Sequence, residues 1–389
     1  MSPSPVAGRE EAAFAPAVIA FAAAGLVAFA ELYGVQALLP AISREFDLSA
    51  ASAALVLSAG ALGLAVAVVP WSLAARRIRR GTLLRIAIIA TIVLGPLVVA
   101  IDGLGPLLVV RFMQGAVLAG IPALAVTHLG DVLDRTRAAV AAGWYVGGTA
   151  LGGLSGRLVA GGVGALGDWR MALAAVSLLS AIAAAAFLLL TPRVVELPES
   201  PGAAQRSLGD PRIWTLCLLA LLQMGAFVAV YNFIGFRLLD PPFAFPDITV
   251  TAVFVVYVVG SFTAARSGRL IARFGRRRVV AVGLTAQTLG ALVTLPDWLP
   301  TIIAGLVIVT AGFFALHALS AGWVAELGRG SALPSALYTI GYYAGAGLLG
   351  WALGLVFDRG GWAALVAALT ALGLVSALIA SRGLRLVRA

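Results

Sequence analysis

The chain has 389 residues, 61% of them hydrophobic and 11% charged, with a net charge of +10 and a mean hydropathy of +1.03. Apolar surface on that scale cannot be hidden in a water-soluble globule, so a soluble fold is excluded and the bilayer becomes the solvent. A helix needs about 20 apolar residues to cross ~30 Å of hydrocarbon, and twelve such spans with short loops fit this length.

Arg9, Glu10 and Glu11 precede an apolar run near 16–39 that contains Glu31. Its length predicts a first membrane helix, since a cleaved leader has a shorter core and a small-residue cleavage site. Further spans are predicted near 52–74, 82–101, 105–127, 137–160 and 171–191. Residues 192–210 carry three prolines and mixed charge and read as the one long linker. Six more spans are predicted near 212–236, 248–267, 278–296, 300–325, 333–356 and 362–381. The expected fold is an all-α membrane protein of twelve transmembrane helices, arranged as two pseudo-symmetric six-helix halves, 1–191 and 211–389.

All 27 basic residues are arginine. Basic residues in short loops stay on the cytoplasmic side. With both termini inside, 21 arginines are cytoplasmic and five (Arg44, Arg157, Arg170, Arg237, Arg359) fall in outside loops, while Arg111 lies within a span. The reverse topology inverts that ratio. The positive charge is thus a topological signal with an affinity for anionic headgroups, and it calls for no nucleic-acid partner. Cys217 is the single cysteine, and with His128 and His317 as the only histidines no disulfide and no Cys/His metal site is expected. His128, near a helix end beside Asp131, is expected in a solvated loop. The chain has no lysine, so it cannot carry a Gly-x-x-x-x-Gly-Lys phosphate loop, and no cofactor is expected.

Two cationic loops, Trp71–Leu83 (WSLAARRIRRGTL) and Gly268–Val280 (GRLIARFGRRRVV), stand 197 residues apart, each after the second span of its half. They resemble the Gly-x-Leu-x-Asp-Arg-x-Gly-Arg-Arg-x-x-Leu signature of the major facilitator superfamily. Gly268, Leu270, Arg273, Gly275, Arg276 and Arg277 match in the second copy, and Leu73, Arg76, Arg79, Arg80 and Leu83 in the first. Ala75 and Ala272 replace the family's aspartates, which help to latch the halves together on the cytoplasmic side. Other contacts, such as these arginines on helix C-termini or facing carbonyls, are then expected to serve.

Arg111-Phe-Met-Gln114-Gly115 resembles the superfamily's Arg-x-x-Gln-Gly motif, Glu31–Pro40 (ELYGVQALLP) the first-helix motif of its drug-proton antiporters, and Gly148–Gly153 (GTALGG) their Gly-Pro-x-x-Gly-Gly motif with Thr149 for proline. Gly153–Arg157, Trp169-Arg170 and Tyr231–Gly235 are similar to the arabinose-efflux-type exporters of bacterial inner membranes. The resemblance implies a monomeric, proton-gradient-driven transporter in the inner membrane whose first and fourth helices line a central cavity.

A charged group within a span is a functional candidate by default. Desolvation of the Glu31 carboxyl favours the acid and a nearby guanidinium favours the carboxylate, a balance suited to carrying a proton. The alternative is a structural carboxyl bonded to Tyr33, Gln36 or a neighbouring helix. Arg111 is a candidate for proton coupling with Glu31 and His317; the alternatives are that it ties down backbone carbonyls or simply pairs with Glu31. His317, on one face with Thr310, either titrates or makes a structural hydrogen bond. Tyr33, Gln36, Gln114, Tyr145, Tyr231, Asn232, Phe314, Tyr338 and Tyr342 are candidate cavity residues, with Trp144, Gln223 and Tyr257 beside them. Mainly apolar walls with one acid and one base suit small amphipathic or aromatic solutes better than a sugar.

Conformational gating falls to Arg76, Arg79, Arg80, Gly268, Arg273, Gly275, Arg276 and Arg277 and to the fifth-span glycines Gly148, Gly152 and Gly153. Gly143, Gly147 and Gly156 extend that stripe, and Gly341, Gly345, Gly347, Gly350 and Gly354 repeat it in the eleventh span. Small residues at this spacing let helix backbones approach, for static packing or for rocking. The expected function is proton-coupled efflux. Rivals are a symporter or uniporter on the same fold, a receptor or channel, and a lipid-acting enzyme, for which no paired carboxylates or nucleophile and base are at hand.

Overall fold

The computed structural model describes residues 5–192, 207–328 and 333–384, and helices are the only regular structure among them. Hydrocarbon offers no water to a free peptide group, so each apolar run satisfies its own backbone. The spans are α1 (Phe14–Glu45), α2 (Ala50–Ala74), α3 (Arg80–Ala100), α4 (Leu104–Val132), α5 (Arg135–Gly164) and α6 (Trp169–Leu190) in the first half. In the second half α7 (Pro211–Leu239), α8 (Asp247–Phe274), α9 (Arg276–Val293) and α10 (Leu299–Leu327) precede α11 (333–360) and α12 (362–383).

By length and hydropathy, nine segments among the described residues qualify as membrane spans, against the twelve predicted. The difference has local causes. Glycines dilute α5, α9 opens on three arginines, and α11 and α12 form one run of 51 residues that turns at Gly361. Gly361 has φ 64°, a conformation open to glycine at little cost. Side chains of Ser49, Asp134, Asp168 and Asp210 cap the starts of α2, α5, α6 and α7, satisfying amides that the helix leaves free. Of the expected linker, 193–206 lie outside the described residues, and Ser207–Gly209 form a short 3-10 turn.

Each half repeats one packing plan. α1 lies along α5 as α7 lies along α11, α2 pairs with α4 as α8 with α10, and α3 meets α6 as α9 meets α12. The glycine stripes serve mainly these contacts. A Cβ on Gly148 would stand 2.0 Å from the Ala22 carbonyl oxygen, on Gly152 2.3 Å from that of Leu26, and on Gly345 2.1 Å from that of Leu221. Gly156 meets Ala30, Gly341 Cys217, Gly350 Val228 and Gly153 the Arg157 side chain, while Gly143 and Gly147 face open space. Gly347 and Gly354 work differently, because they admit Leu62 and Ala51 of α2 across the boundary between halves. That boundary is formed by α2 against α11 and α5 against α8.

Three expectations fail: for Arg237 and His128 the helices run past the predicted ends of their apolar cores, whereas Arg157 lies within the predicted 137–160 span, where partners answer its charge. Arg157, expected in an outside loop, is buried within α5, and Arg237 is buried near the end of α7. His128, expected in a solvated loop, is buried in α4, with its ring 5.9 Å from Phe21 and Nδ1 3.5 Å from Asp131.

The packing predicts opposite outcomes for adjacent glycines. Gly148→Ala should cost about 1–3 kcal/mol or prevent assembly of the first half, because backbone cannot yield to the new methyl. Gly147→Ala should leave the thermal midpoint of the purified protein unchanged; equal effects would contradict the α1–α5 contact.

Candidate functional site

Pro40 supplies no amide to the carbonyl one turn earlier, and α1 accordingly tightens into a 3-10 turn over Gly34–Leu38 before resuming. The turn places Gln36 between the halves. Its Nε2 donates to Asn232 Oδ1 of α7 at 2.6 Å, and to the Val228 carbonyl at 3.4 Å. Its Oε1 accepts from Arg157 Nε at 2.7 Å.

Arg157 continues the network. Nη1 donates to the Gly153 carbonyl at 2.5 Å and Nη2 to Tyr257 Oη of α8 at 3.0 Å. The guanidinium carbon lies 4.1 Å from the centre of the Tyr257 ring, 4.7 Å from Tyr33 and 5.7 Å from Phe254. Cation–π attraction and neutral oxygens thus hold this charge, which has 2% of its surface exposed. Tyr231 backs Tyr257 with ring centres 4.5 Å apart and bonds Thr310 at 2.6 Å.

Other contacts between the halves gather toward the same end. Arg44 pairs with Asp247 at 3.2 Å, both oxygens of Asp358 lie 3.3 Å from the Ala51 amide, and Gly161 abuts Thr251. This end is remote from the arginine loops. There, Arg80 bonds Asp131 at 2.8 and 2.9 Å and Arg276 bonds Glu326, each within its own half. Arg76, Arg79, Arg273 and Arg277 are exposed, as is Gly268, and Gly275 turns the chain into α9 with φ 77°. A surface cavity of about 460 Å³ beside Arg276, Arg277 and Arg278 touches the second half alone.

Glu31 and Arg111 lie inside the first half. Arg111 donates from Nε to the Val56 carbonyl at 3.3 Å, from Nη1 to the Glu31 carbonyl at 3.1 Å and Gln114 Oε1 at 2.9 Å, and from Nη2 to the Leu32 carbonyl at 2.8 Å. These bonds tie down carbonyls of α1 and α2, with the Glu31 carboxyl close by. Gln114 in turn bonds the Leu94 carbonyl at 3.1 Å. The Glu31 carboxyl turns toward Gly95 of α3 and Ser177 and Ser180 of α6, and its Oε1 has no hydrogen-bond partner among the described residues.

In the second half His317 Nδ1 is 2.9 Å from Tyr338 Oη, and its ring lies parallel to Phe313 and 4.5 Å from Tyr342. Phe314 packs edge-on to Phe227 at 5.8 Å, while Tyr342 and Tyr343 approach Tyr33 and Tyr145. The structure therefore brings Tyr33, Gln36, Asn232 and Tyr257 together around Arg157 and keeps Glu31, Arg111 and Gln114 apart from them. From sequence Arg157 reads as an outside-loop arginine and not as a site residue, and Phe254, Ser177 and Ser180 are not singled out. An arginine three residues inside the predicted fifth span was the available signal. No group of three or more His, Cys, Asp or Glu among the described residues is placed to hold a metal.

Residues 21–265 match the family model described as Major Facilitator Superfamily. An uncharacterized MFS-type transporter, YybF of Bacillus subtilis, is 31% identical over 93% of this chain and 92% of its own. The inner membrane transport protein YnfM of Escherichia coli is 31% identical over 94% and 89%. Among solved structures, a bacterial homologue of the human lysosomal transporter Spinster, inward-facing and occupied, superposes with TM-score 0.79 at 16% identity, covering 95% of this chain and 96% of that one. The nucleoside transporter NupG gives 0.71 at 15% identity, covering 96% and 100%. These last two likenesses concern the fold.

The Gln36 network predicts a measurable opening. In a Cys217→Ser background, cysteines replacing Arg44 and Asp247 should be joined readily by a short bifunctional thiol reagent. Adding Gln36→Ala, which removes bonds to Arg157 and Asn232, should lower the joined fraction by roughly two-fold or more. An unchanged fraction would mean that the network does not hold this end shut.

Proposed function

The chain belongs to the Major Facilitator Superfamily, and from that premise we propose that it exports small amphipathic organic compounds in exchange for protons. The observation that carries this reading is Glu31: a carboxyl 5% exposed in mid-span, facing Ser177 and Ser180, on the helix that reaches the inter-half network at Gln36. Burying an ionisable group there is costly, and a cycle of protonation gives the cost a use.

In this reading α1 is the coupling element. Arg111 grips the Glu31 and Leu32 carbonyls, so a change of charge on the Glu31 side chain acts on backbone that is already anchored. The 3-10 turn that follows carries the change to Gln36, and through it to the contacts that close one end. With the arginine loops and both termini on the cytoplasmic side of a bacterial inner membrane, the closed end faces outward and the resting state opens inward. Substrate enters from the cytoplasm, the halves rock about α2–α11 and α5–α8, and protonation from outside resets the cycle. The driving force is the proton gradient, the working unit is a monomer in lipid, and the chemistry is transport without bond making.

The test uses proteoliposomes with an imposed pH gradient, an internal pH dye and a panel of amphipathic compounds. Native protein should move protons when a substrate is added, and Glu31→Gln should abolish that movement while the folded protein remains. Compound flux with no proton movement in either protein would replace the exporter with a uniporter. Proton and compound moving in the same direction would replace it with a symporter.

A further inference from the structure

Four arginines are buried among the described residues, and three have their charge answered within their own half. Arg80 bonds Asp131. Arg237 bonds Asp297 at 2.9 Å together with the carbonyls of Thr294, Leu295 and Pro296. Arg111 binds three carbonyls and Gln114, with the Glu31 carboxyl close by. Arg157 differs on both counts. Among the described residues no acid pairs with it, and part of what holds it, Tyr257 and Phe254, belongs to the opposite half.

We propose that Arg157 is the anion-binding residue of the transport site, and that the solute is an amphipathic organic anion whose acidic group pairs with this guanidinium. The proposal rests on the transporter reading above and names its substrate class. When the halves part at this end, Arg157 keeps Gln36, Gly153 and Tyr33 and loses Tyr257 and Phe254. A guanidinium left facing a largely apolar cleft with fewer partners carries a large penalty, which a carboxylate or phosphate-type oxygen removes through paired hydrogen bonds. Tyr33, Tyr257 and Phe254 around it offer flat apolar walls to the rest of such a solute. In this structure the Tyr257 hydroxyl occupies one direction of approach to Nη2, so the bond that closes this end and the bond to the solute compete for one donor.

The test separates charge recognition from transport. Binding to the purified protein is measured for naphthylacetate and decanoate, each against its neutral amide, and flux of the same four compounds is followed in proteoliposomes. Native protein should bind an acid at least ten-fold more tightly than its amide. Arg157→Gln should erase that difference while amide binding stays, Arg157→Lys should restore part of it, and Tyr257→Phe should preserve it or strengthen acid binding. Equal affinity for acid and amide in native protein, or no binding of either acid, overturns the proposal. So does a difference that survives in Arg157→Gln. Should Arg157→Gln fail to fold, the native comparison and Tyr257→Phe still decide. Selective acid binding without flux of any compound would leave the anion site standing and overturn the transporter reading.

Discussion

An arginine held within hydrocarbon thickness must be supplied with oxygen or aromatic faces, and the origin of those partners decides which parts of the chain move together. Arg111 draws on α1, α2 and α4, making them one body. Arg237 binds α7 to the loop between α9 and α10, and Arg170 binds α6 to the end of α1 and the loop after α3. Arg157 alone of the buried set reaches across the boundary between halves. Buried arginines that tie several helices of one half together are what two rigid units need if they are to tilt as units.

Close packing follows the same division. Lipid tails are as apolar as leucine, so helices in a bilayer gain from contact only where backbones come near enough for dispersion to count. α5 and α11 meet their own-half partners through Gly148, Gly152 and Gly345 at distances that exclude any side chain. Contacts across the boundary use a different set. Gly347 and Gly354 receive α2, and Arg44–Asp247 and Asp358 on the Ala51 amide add charge near the rim, where water weakens it. The intra-half seams carry the tight glycine contacts, and the inter-half seam joins close packing at Gly347 and Gly354 to discrete polar bonds. Such bonds can be exchanged for water or solute one at a time.

Fold and site differed in legibility for reasons of scale. The duplication was visible because the arginine loops are local strings, and the halves because a span is a run of adjacent residues. Capping at Asp134, Asp168 and Asp210 involves neighbours two or three positions away and was in principle equally readable. Gln36, Asn232 and Tyr33 stood out as polar or aromatic side chains within apolar runs, and they do meet at the boundary. Arg157 was misplaced because positive charge near a span end reads first as a topology anchor, and its partners Gln36 and Tyr257 lie 121 and 100 residues away. The direction of Glu31 was hidden for a related reason. Helical spacing gives its face only relative to its own helix, and the rotation that turns it toward Ser177 and Ser180 is set by how α1 seats against α5 and α6.

That rotation gives α1 two tasks on opposite sides. One side presents Glu31 to the interior of the first half, and the other presents Tyr33 and Gln36 to Arg157 and the second half. A regular helix transmits little between its faces, because its hydrogen-bonded ladder is stiff. Here the ladder is interrupted: Pro40 removes a donor and Gly34–Leu38 adopt the tighter 3-10 winding between Glu31 and the resumed helix. Arg111 fixes the carbonyls on the near side of the interruption and leaves the far side to the inter-half network. In the proposed exchange cycle, a shift in the Glu31 environment would meet an anchor on one side and the 3-10 turn on the other, which would direct displacement toward Gln36.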